Sequence, residues 1–169
     1  MAFHFRQFDL HDDQSTMRVG TDAVLLGAWV NPGNIKNILD IGTGCGILAL
    51  MMAQKSNALI KAIDVDKKSV GQASMNFLQS PWFKRMKAIQ CSLQEMADRR
   101  TDIFDLVVTN PPYFSNSLKS PDIKRNTARH DDLLNSHDLL AGVIRLVNEH
   151  GKFCLILPAE ITKSFCKIL

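Results

Sequence analysis

A short apolar strand, a loop of three closely spaced glycines and an apolar helix follow one another between residues 37 and 54. The strand is Asn37–Ile41, the loop is Gly42-Thr43-Gly44-Cys45-Gly46, and the helix begins at Ile47. Glycine lets a backbone approach a ligand closely because no Cβ lies in the way. This succession opens a doubly wound α/β domain, in which the ligand binds at the carboxyl ends of the strands. We therefore predict a mostly parallel sheet with helices on both faces.

The rest of the chain repeats the alternation of strands and helices. Further strands are predicted over residues 58–63, 86–90, 103–108 and 151–157, and helices over residues 23–30, 67–78, 92–97, 133–148 and 158–169. Residues 4–18 show no regular period and predict an irregular lead-in or a short edge hairpin. We expect Thr21 or Asp22 to cap the first of these helices and Asp66 to cap the second.

These elements predict a division of the chain into two parts. Residues 1–31 form a leading segment with a helix, and residues 32–169 form the α/β domain. A domain of this class normally continues into further strands. We therefore expect that the sequence lacks the C-terminal strands of the fold.

The composition excludes several classes of protein. The chain has 169 residues, of which 46% are hydrophobic and 22% charged, the proportions of a soluble globular domain. No apolar run approaches the roughly 20 residues that span a bilayer, and the first residues hold no signal peptide. The four cysteines lack the spacing of metal ligands, so we expect reduced thiols, no metal and a cytoplasmic location. A net charge of +3 is compatible with a nucleic-acid partner.

The spacing of the glycines indicates which ligand the loop binds. A dinucleotide-binding loop has the spacing Gly-x-Gly-x-x-Gly, whereas here the third glycine comes one position early and Ile47 follows it. The loop also lacks the lysine and hydroxyl residue of a phosphate-binding P-loop. Both observations argue against a pyrophosphate ligand, and therefore against a nicotinamide-dependent oxidoreductase. They favour a nucleoside without phosphates.

Two acidic residues flank the loop at positions suited to such a nucleoside. Asp64 ends the second strand, where a carboxylate can accept hydrogen bonds from both hydroxyls of a ribose. Asp40 directly precedes the glycines, where its carboxylate could meet a cationic ammonium group. A cationic nucleoside with a ribose diol and an amino-acid tail is S-adenosylmethionine, which we predict as the cofactor. Two plainer roles stay open: Asp40 could only order the glycine turn, and Asp64 could only cap the next helix.

A second motif, Asn110-Pro111-Pro112-Tyr113, follows the buried strand predicted over residues 103–108. Two consecutive prolines remove two N–H donors and fix two φ angles, so the loop offers carbonyl oxygens in a fixed direction beside the Asn110 side-chain oxygen. Two acceptors suit the two N–H donors of an exocyclic amine on a planar ring, against which Tyr113 can stack. The motif therefore predicts catalysis on a planar amine by Asn110, Pro111, Pro112 and Tyr113. The alternative is an ordinary Pro-Pro turn after a strand.

Taken together, these features resemble the class I methyltransferases that act on exocyclic amino groups. Within that group, residues 20–29, 79–82, 110–113 and 153–158 are similar to the bacterial tRNA1(Val) adenine-37 N6-methyltransferase family. The resemblance implies a Rossmann-like class I fold, S-adenosylmethionine as methyl donor and, as acceptor, an adenine next to the anticodon of a tRNA. It also implies a set of cofactor-binding residues, which are Thr21, Asp40, Gly42, Gly44, Gly46, Asp64, Ser92, Leu93 and Asn110.

One residue of this set departs from the pattern of the family. The third strand usually ends in an aspartate that contacts the adenine of the cofactor, and here that residue is Ser92. A neutral hydroxyl forms a weaker hydrogen bond than a carboxylate does. The substitution therefore predicts reduced affinity for the cofactor.

Basic side chains follow the Asn-Pro-Pro-Tyr motif, on the side predicted to carry the active site. Positive charges bind RNA through its phosphates, independently of sequence. We expect the substrate to be bound by Lys119, Lys124, Arg125 and Arg129. The alternative for this cluster is a solvated surface without a partner.

Other acceptors present the same pair of N–H groups to the Asn-Pro-Pro-Tyr motif. These are the glutamine amide of a release factor and an adenine of DNA, and residues 20–29 favour the tRNA family over both. An alternative of another class is a module that binds RNA or a nucleoside without catalysis. The sequence makes no prediction of the oligomeric state.

Overall fold

A twisted parallel sheet forms the centre of the computed structural model, which describes residues 2–99, 102–111 and 136–168. Within these residues the strands of the sheet are β3 (Asn37–Ile41), β4 (Leu59–Asp64), β5 (Met86–Gln90), β6 (Phe104–Thr109) and β7 (Val147–Leu155). Their spatial order is β5-β4-β3-β6-β7, and every neighbouring pair is parallel. The chain thus winds outwards from β3 in both directions, which confirms the predicted doubly wound α/β fold.

Helices connect the strands and cover both faces of the sheet. They are α1 (Thr21–Trp29), α2 (Ile47–Lys55), α3 (Lys67–Gln79), α4 (Leu93–Arg99), α5 (Ser136–Leu146) and α6 (Ala159–Phe165), with a 3-10 helix at Phe83–Arg85. Ahead of α1, two short antiparallel strands, β1 (Ala2–His4) and β2 (Asp9–His11), form the hairpin that was one of two expectations for this region. None of the described helices is long and apolar enough to cross a bilayer.

The two faces of the sheet bury separate apolar cores because successive side chains of a strand point to opposite sides. In β3, Ile38 faces the core formed with the N-terminal hairpin, α1, α2 and α3, whereas Leu39 faces the core formed with α4, α5 and α6. Asp40, the next residue, is completely buried on the same side as Ile38. The alternation therefore directs one carboxylate into the layer that holds α2.

Two of the predicted helix caps have different outcomes. The prediction for Asp66 is confirmed, since its carboxylate accepts a hydrogen bond of 2.7 Å from the Ser69 amide at the start of α3. The prediction for Thr21 or Asp22 is wrong, because both residues lie inside α1 and the cap is Gly20, which makes no side-chain cap bond. An acidic residue in the first turn still favours α1 because it opposes the positive end of the helix dipole.

The last strand of the sheet begins four residues earlier than predicted. β7 starts at Val147, which pairs with Phe104, but the next partner of β6 is Lys152, opposite Leu106. The extra residues of β7 form an irregularity that the periodicity of the sequence does not show. A Cβ at Gly151 would lie 2.5 Å from a methyl carbon of Val147, so this irregularity requires a glycine.

The segment between the hairpin and α1 lies along α3 as a strap, which we define as residues 11–19. Its backbone is held by side chains of α3: Asn76 exchanges hydrogen bonds of 3.0 and 2.7 Å with the amide and carbonyl of His11, and Gln72 accepts one from Gln14. Closer to α1, the Ser69 hydroxyl accepts a hydrogen bond from the Thr16 amide. Residues far apart in the sequence therefore fix the strap.

Asn76 also connects the strap to the glycine loop. Its amide group donates a second hydrogen bond, of 2.8 Å, to the Cys45 carbonyl, and the side chain is completely buried. We expect Asn76→Ala to lower the free energy of unfolding by about 2–4 kcal/mol, because it leaves buried backbone groups unpaired. Urea denaturation measures this loss. Met75→Ala, at an exposed position of the same helix, is the matched control and should change stability by less than about 0.5 kcal/mol.

Candidate cofactor and substrate site

The glycine loop and the Asn-Pro segment both begin at the carboxyl ends of the strands. They follow the neighbouring strands β3 and β6, which pair in parallel with Ile41 opposite Thr109. The Thr109 hydroxyl donates a hydrogen bond of 2.8 Å to the Ile41 carbonyl and holds the two strand ends together. Because both strands end at this point, the residues that follow them meet above the sheet.

Positive φ angles shape the glycine loop. The φ values are 66° at Gly42, 55° at Gly44 and 90° at Gly46, in a backbone region that residues other than glycine rarely adopt. The amides of Gly42 and Thr43 both donate to the Ile63 carbonyl, at 2.9 and 3.0 Å, which ties the loop to the neighbouring strand β4. A Cβ at Gly42 would meet no atom within 4 Å, so this side of the loop faces open space.

The third glycine of the loop has a different role. A Cβ at Gly46 would lie 2.6 Å from the Phe77 ring and 3.3 Å from the Ala73 Cβ, both in the buried face of α3. Gly46 is itself buried, so it allows the loop to pack against α3. Of the three predicted glycines, the structure therefore gives Gly46 a packing role and leaves Gly42 facing open space.

The two glycines make a prediction that separates these roles. Gly42→Ala should cost about 1–2 kcal/mol of stability from its positive φ alone, whereas Gly46→Ala should cost about 1–3 kcal/mol more because of the clash with Phe77. For cofactor affinity we expect the reverse order. Gly42→Ala should lower the affinity more than Gly46→Ala does, because its new methyl group enters the open side of the loop. Urea denaturation and calorimetric titration with S-adenosylhomocysteine measure the two quantities. Equal stability losses in the two variants would contradict this assignment.

Asp64 lies at the end of β4, half-buried beside the loop. One of its carboxylate oxygens accepts a hydrogen bond of 2.9 Å from the Gly44 amide, and the other accepts one of 2.9 Å from the Asp66 amide. A carboxylate oxygen can accept more than one hydrogen bond, so both oxygens keep acceptor capacity for the hydroxyls of a ribose. The structure thus places this carboxylate in direct contact with the glycine loop.

Asp40 orders the turn from below. Its Oδ2 accepts hydrogen bonds of 2.7 Å from the Thr43 hydroxyl and 3.2 Å from the Ala49 amide, whereas the buried Oδ1 has no hydrogen-bond partner. Burial raises the pKa of this carboxyl from 3.8 to about 7; the bonds from Thr43 and Ala49 act in the opposite direction, and the nearby Asp64 raises it further. An unpartnered buried carboxylate oxygen beneath the loop fits a cationic ligand above it.

A cavity of about 160 Å³ joins the glycine loop to the Asn-Pro segment. Of the predicted site residues, Gly42, Gly44, Asn110 and Pro111 line it. The other lining residues are Met17, Arg18, Gly20, Asp22, Ala23, Thr43, Cys45, Ile47 and Leu48. The two predicted motifs therefore share one cleft, and the strap with the starts of α1 and α2 forms its remaining wall.

The other predicted residues lie around this cavity or beyond the described residues. Thr21, Asp40, Gly46, Asp64, Ser92 and Leu93 are not among the lining residues. Pro112, Tyr113, Lys119, Lys124, Arg125 and Arg129 lie outside the residues that the structure describes. No group of His, Cys, Asp and Glu able to hold a metal ion occurs within the described ranges.

Ser92 begins α4 in a capping box. Its hydroxyl accepts a hydrogen bond of 3.1 Å from the Glu95 amide, and the Glu95 carboxylate accepts one of 2.8 Å from the Ser92 amide. The hydroxyl hydrogen remains to donate to a ligand. Leu93, the next residue, is buried, and a Cβ on Gly142 of α5 would lie 2.5 Å from its side chain. The Leu93 side chain thus contributes to the core, and the Ser92 hydroxyl is the polar group at this strand end.

A larger cavity, of about 560 Å³, lies towards the opposite end of the strands, where β6 begins. Its lining includes Asp105 at the start of β6, Asn148 of β7 and the exposed Trp29 at the end of α1. It contains neither glycine loop nor Asn-Pro residues. In parallel α/β sheets ligands bind at the carboxyl ends of the strands, so we assign the site to the smaller cavity.

Comparisons with known proteins agree with this geometry. The family model described as "Methyltransferase small domain" matches residues 15–153, from the strap to β7. A tRNA1(Val) (adenine(37)-N6)-methyltransferase of Phocaeicola vulgatus is 46% identical over 164 residues, which cover 96% of this chain and 69% of the relative. The protein of that name from Escherichia coli O157:H7 is 37% identical over 169 residues, covering 99% and 69%.

This chain belongs to the tRNA1(Val) (adenine(37)-N6)-methyltransferase family.

Solved structures show the same fold in other methyltransferases. A SAM-dependent methyltransferase from Agrobacterium tumefaciens is 14% identical with a TM-score of 0.71, over 99% of this chain and 57% of that one. A ribosomal protein L11 methylase from Lactobacillus delbrueckii subsp. bulgaricus is 19% identical with a TM-score of 0.66, over 95% and 72%. The fold is thus that of class I methyltransferases, and S-adenosylmethionine is the cofactor of the family. The open glycine loop, the acceptors on Asp64 and the unpartnered oxygen of Asp40 fit this cofactor.

Proposed function

We propose that this protein methylates the N6 amine of an adenine in tRNA, next to the anticodon, with S-adenosylmethionine as methyl donor. The observation that carries the proposal is the shared cavity, in which Asn110 and Pro111 face the glycine loop. The names of the relatives supply the acceptor, adenine 37 of tRNA1(Val). A tRNA substrate also supports the expected cytoplasmic location.

Residues that line the cavity and residues around it bind different parts of the two ligands. The glycine loop, Asp64 and the hydroxyl of Ser92 hold the nucleoside part of S-adenosylmethionine, and Asp40 favours its positive charge from beneath. When bound, this cofactor supplies a methyl group on a positively charged sulfur. Thr21 begins α1 and Leu93 begins α4, and their contact with the cofactor stays a prediction.

The Asn-Pro segment orients the adenine. The N6 amine is a poor nucleophile because its lone pair is delocalised into the ring. Hydrogen bonds from its two N–H groups to the Asn110 side-chain oxygen and the Pro111 carbonyl draw the nitrogen towards tetrahedral geometry and localise the lone pair. Positioning of this kind can lower a barrier by about 7–11 kcal/mol. No strong base is needed beforehand, since the amine becomes acidic only after methyl transfer, when water can take the proton.

The remaining predicted residues complete this proposal from outside the described ranges. Tyr113 stacks on an adenine that has left its neighbours in the anticodon loop, a contact worth roughly 1–3 kcal/mol. The cations Lys119, Lys124, Arg125 and Arg129 bind the phosphates of the tRNA. Their role stays a prediction.

A direct assay of the modified nucleoside tests the proposal. The protein is incubated with S-adenosylmethionine and unmodified tRNA, and the digested RNA is analysed by mass spectrometry for N6-methyladenosine. Parallel reactions with adenine-containing DNA and with a release factor separate the other amine acceptors. We expect methylation of tRNA alone. Methylation of DNA or release factor in place of tRNA would change the acceptor, and cofactor binding without transfer to any of the three would favour a non-catalytic binding module.

A further inference from the structure

The cavity contains a basic side chain for which the proposed function has no role. S-adenosylmethionine ends in an amino acid, with an ammonium and a carboxylate on the same carbon. In the proposed function Asp64 and Ser92 bind its nucleoside, and Asp40 favours its positive charge. The carboxylate of its amino-acid tail is left without a partner. Among the described residues that line the cavity, Arg18 is the basic one and Asp22 is the acidic one.

Arg18 lies on a part of the strap whose backbone is fixed on both sides. The next amide, of Val19, donates a hydrogen bond of 3.1 Å to the buried Asp12 carboxylate. The preceding carbonyl, of Met17, accepts one of 2.9 Å from the Ser15 hydroxyl. The Arg18 side chain is exposed, so it can turn towards a ligand without leaving a buried partner.

The strap passes directly over the glycine loop at this point. A Cβ on Gly44 would lie 3.4 Å from the Ser15 hydroxyl and 4.0 Å from the Met17 carbonyl oxygen. A methyl group on Gly44 would thus touch the strap, so the backbone next to Arg18 lies beside the loop. The charges around the cavity also match those of the amino-acid tail, since Arg18 and Asp22 line the cavity and the Asp40 carboxyl lies buried beneath the glycine loop.

We propose that Arg18 binds the carboxylate of the amino-acid tail of S-adenosylmethionine and so selects cofactors that carry it. A guanidinium group presents a planar fork of N–H donors that matches the two oxygens of a carboxylate. This inference rests on the proposed function, because it assumes that the nucleoside lies in the glycine loop. It assigns a specificity-determining residue to a segment that carries no recognisable loop motif.

The test compares two ligands that differ only in the carboxylate. S-adenosylhomocysteine has the complete amino-acid tail, and its decarboxylated analogue keeps the adenosine, the thioether and the amine. Calorimetric titrations of both ligands are carried out on the wild-type protein and on Arg18→Ala. Arg6→Ala, which removes another exposed arginine ahead of the strap, is the matched control.

A charge-assisted hydrogen bond of about 1.5–3 kcal/mol corresponds to a change of about ten-fold or more in affinity. We therefore expect Arg18→Ala to bind S-adenosylhomocysteine at least about ten-fold more weakly than wild type, and to bind the decarboxylated analogue unchanged. Arg18→Lys should recover part of the loss because it keeps the charge without the fork. Arg6→Ala should bind both ligands as wild type does.

Two outcomes overturn the inference while leaving the proposed function intact. In the first, Arg18→Ala binds both ligands as tightly as wild type does, so Arg18 makes no contact with the tail. In the second, the variant loses affinity for both ligands equally, so Arg18 supports the cavity without recognising the carboxylate. Failure of the wild-type protein itself to bind S-adenosylhomocysteine would instead remove the cofactor site and the proposed function together.

Discussion

Asn110→Ala is expected to lower the rate of methyl transfer to tRNA by at least about 10²–10³-fold while leaving cofactor affinity within about two-fold of wild type. The side-chain oxygen of Asn110 is one of the two acceptors proposed for the N6 amine, and the half-buried side chain lines the cavity with the glycine loop. Its removal takes away an interaction that orients the amine. Single-turnover assays with saturating tRNA measure the rate, and calorimetry with S-adenosylhomocysteine measures the affinity.

Two further variants show whether the acceptor is what matters. Asn110→Asp keeps an acceptor oxygen in place, so it should retain more activity than Asn110→Ala. Asn31→Ala removes an asparagine that lines the larger cavity, towards the opposite end of the strands. The rate of methyl transfer by this variant should match that of wild type. If Asn110→Ala kept full activity, or lost cofactor binding as its main effect, the proposed role of the amide would be contradicted.

Much of the sheet could be predicted because its strands are short apolar runs between turn residues. The predicted bounds of Asn37–Ile41 and Met86–Gln90 agree with those in the structure. The start of β7 was predicted wrongly because the helix predicted over residues 133–148 included Val147 and Asn148, and residues 149–151 show no apolar alternation before the pairing with β6 resumes at Lys152. Periodicity reports which face of a strand is buried, and it does not report a change of register.

The candidate site was predictable where it consists of loops that directly follow strands. The glycine loop and Asn110 follow neighbouring strands, and the carboxyl ends of parallel strands lie at the same end of the sheet. The strap was not predictable in the same way. Its position depends on hydrogen bonds to Ser69, Gln72 and Asn76, more than fifty residues away, and no local pattern encodes them. For this reason Met17 and Arg18 were absent from the predicted site, although only Val19 separates them from the Gly20-Thr21-Asp22 segment.

The sequence also left two roles open for Asp40, and pH dependence distinguishes them. Its pKa is about 7 in the folded protein, against an ordinary value of 3.8, because the carboxyl is buried. Between these pH values the folded state binds a proton that the unfolded state has released, so stability falls as pH rises. The contribution is greatest below about pH 4 and is lost by about pH 7. At about 1.36 kcal/mol per pKa unit, the loss amounts to about 4 kcal/mol.

Asp40→Asn should remove this dependence, since an amide resembles the protonated acid and can still accept hydrogen bonds from Thr43 and Ala49. We expect the free energy of unfolding of the variant, relative to wild type, to rise by about 4 kcal/mol between pH 4 and pH 8. Urea denaturation across this pH range measures the difference. A constant difference between the two proteins would mean that the Asp40 carboxyl does not titrate in this interval.

The same experiment with saturating S-adenosylhomocysteine asks whether Asp40 does more than order the turn. An ammonium group near the unpartnered Oδ1 would favour the carboxylate, so bound ligand should recover part of the stability that wild type loses between pH 4 and pH 7. Stabilisation by the ligand should then increase with pH in wild type and stay constant in Asp40→Asn. If stabilisation by the ligand had the same pH dependence in both proteins, Asp40 would order the loop without attracting the ligand. The charged groups of the amino-acid tail would then be bound by residues of the cavity wall such as Asp22 and Arg18.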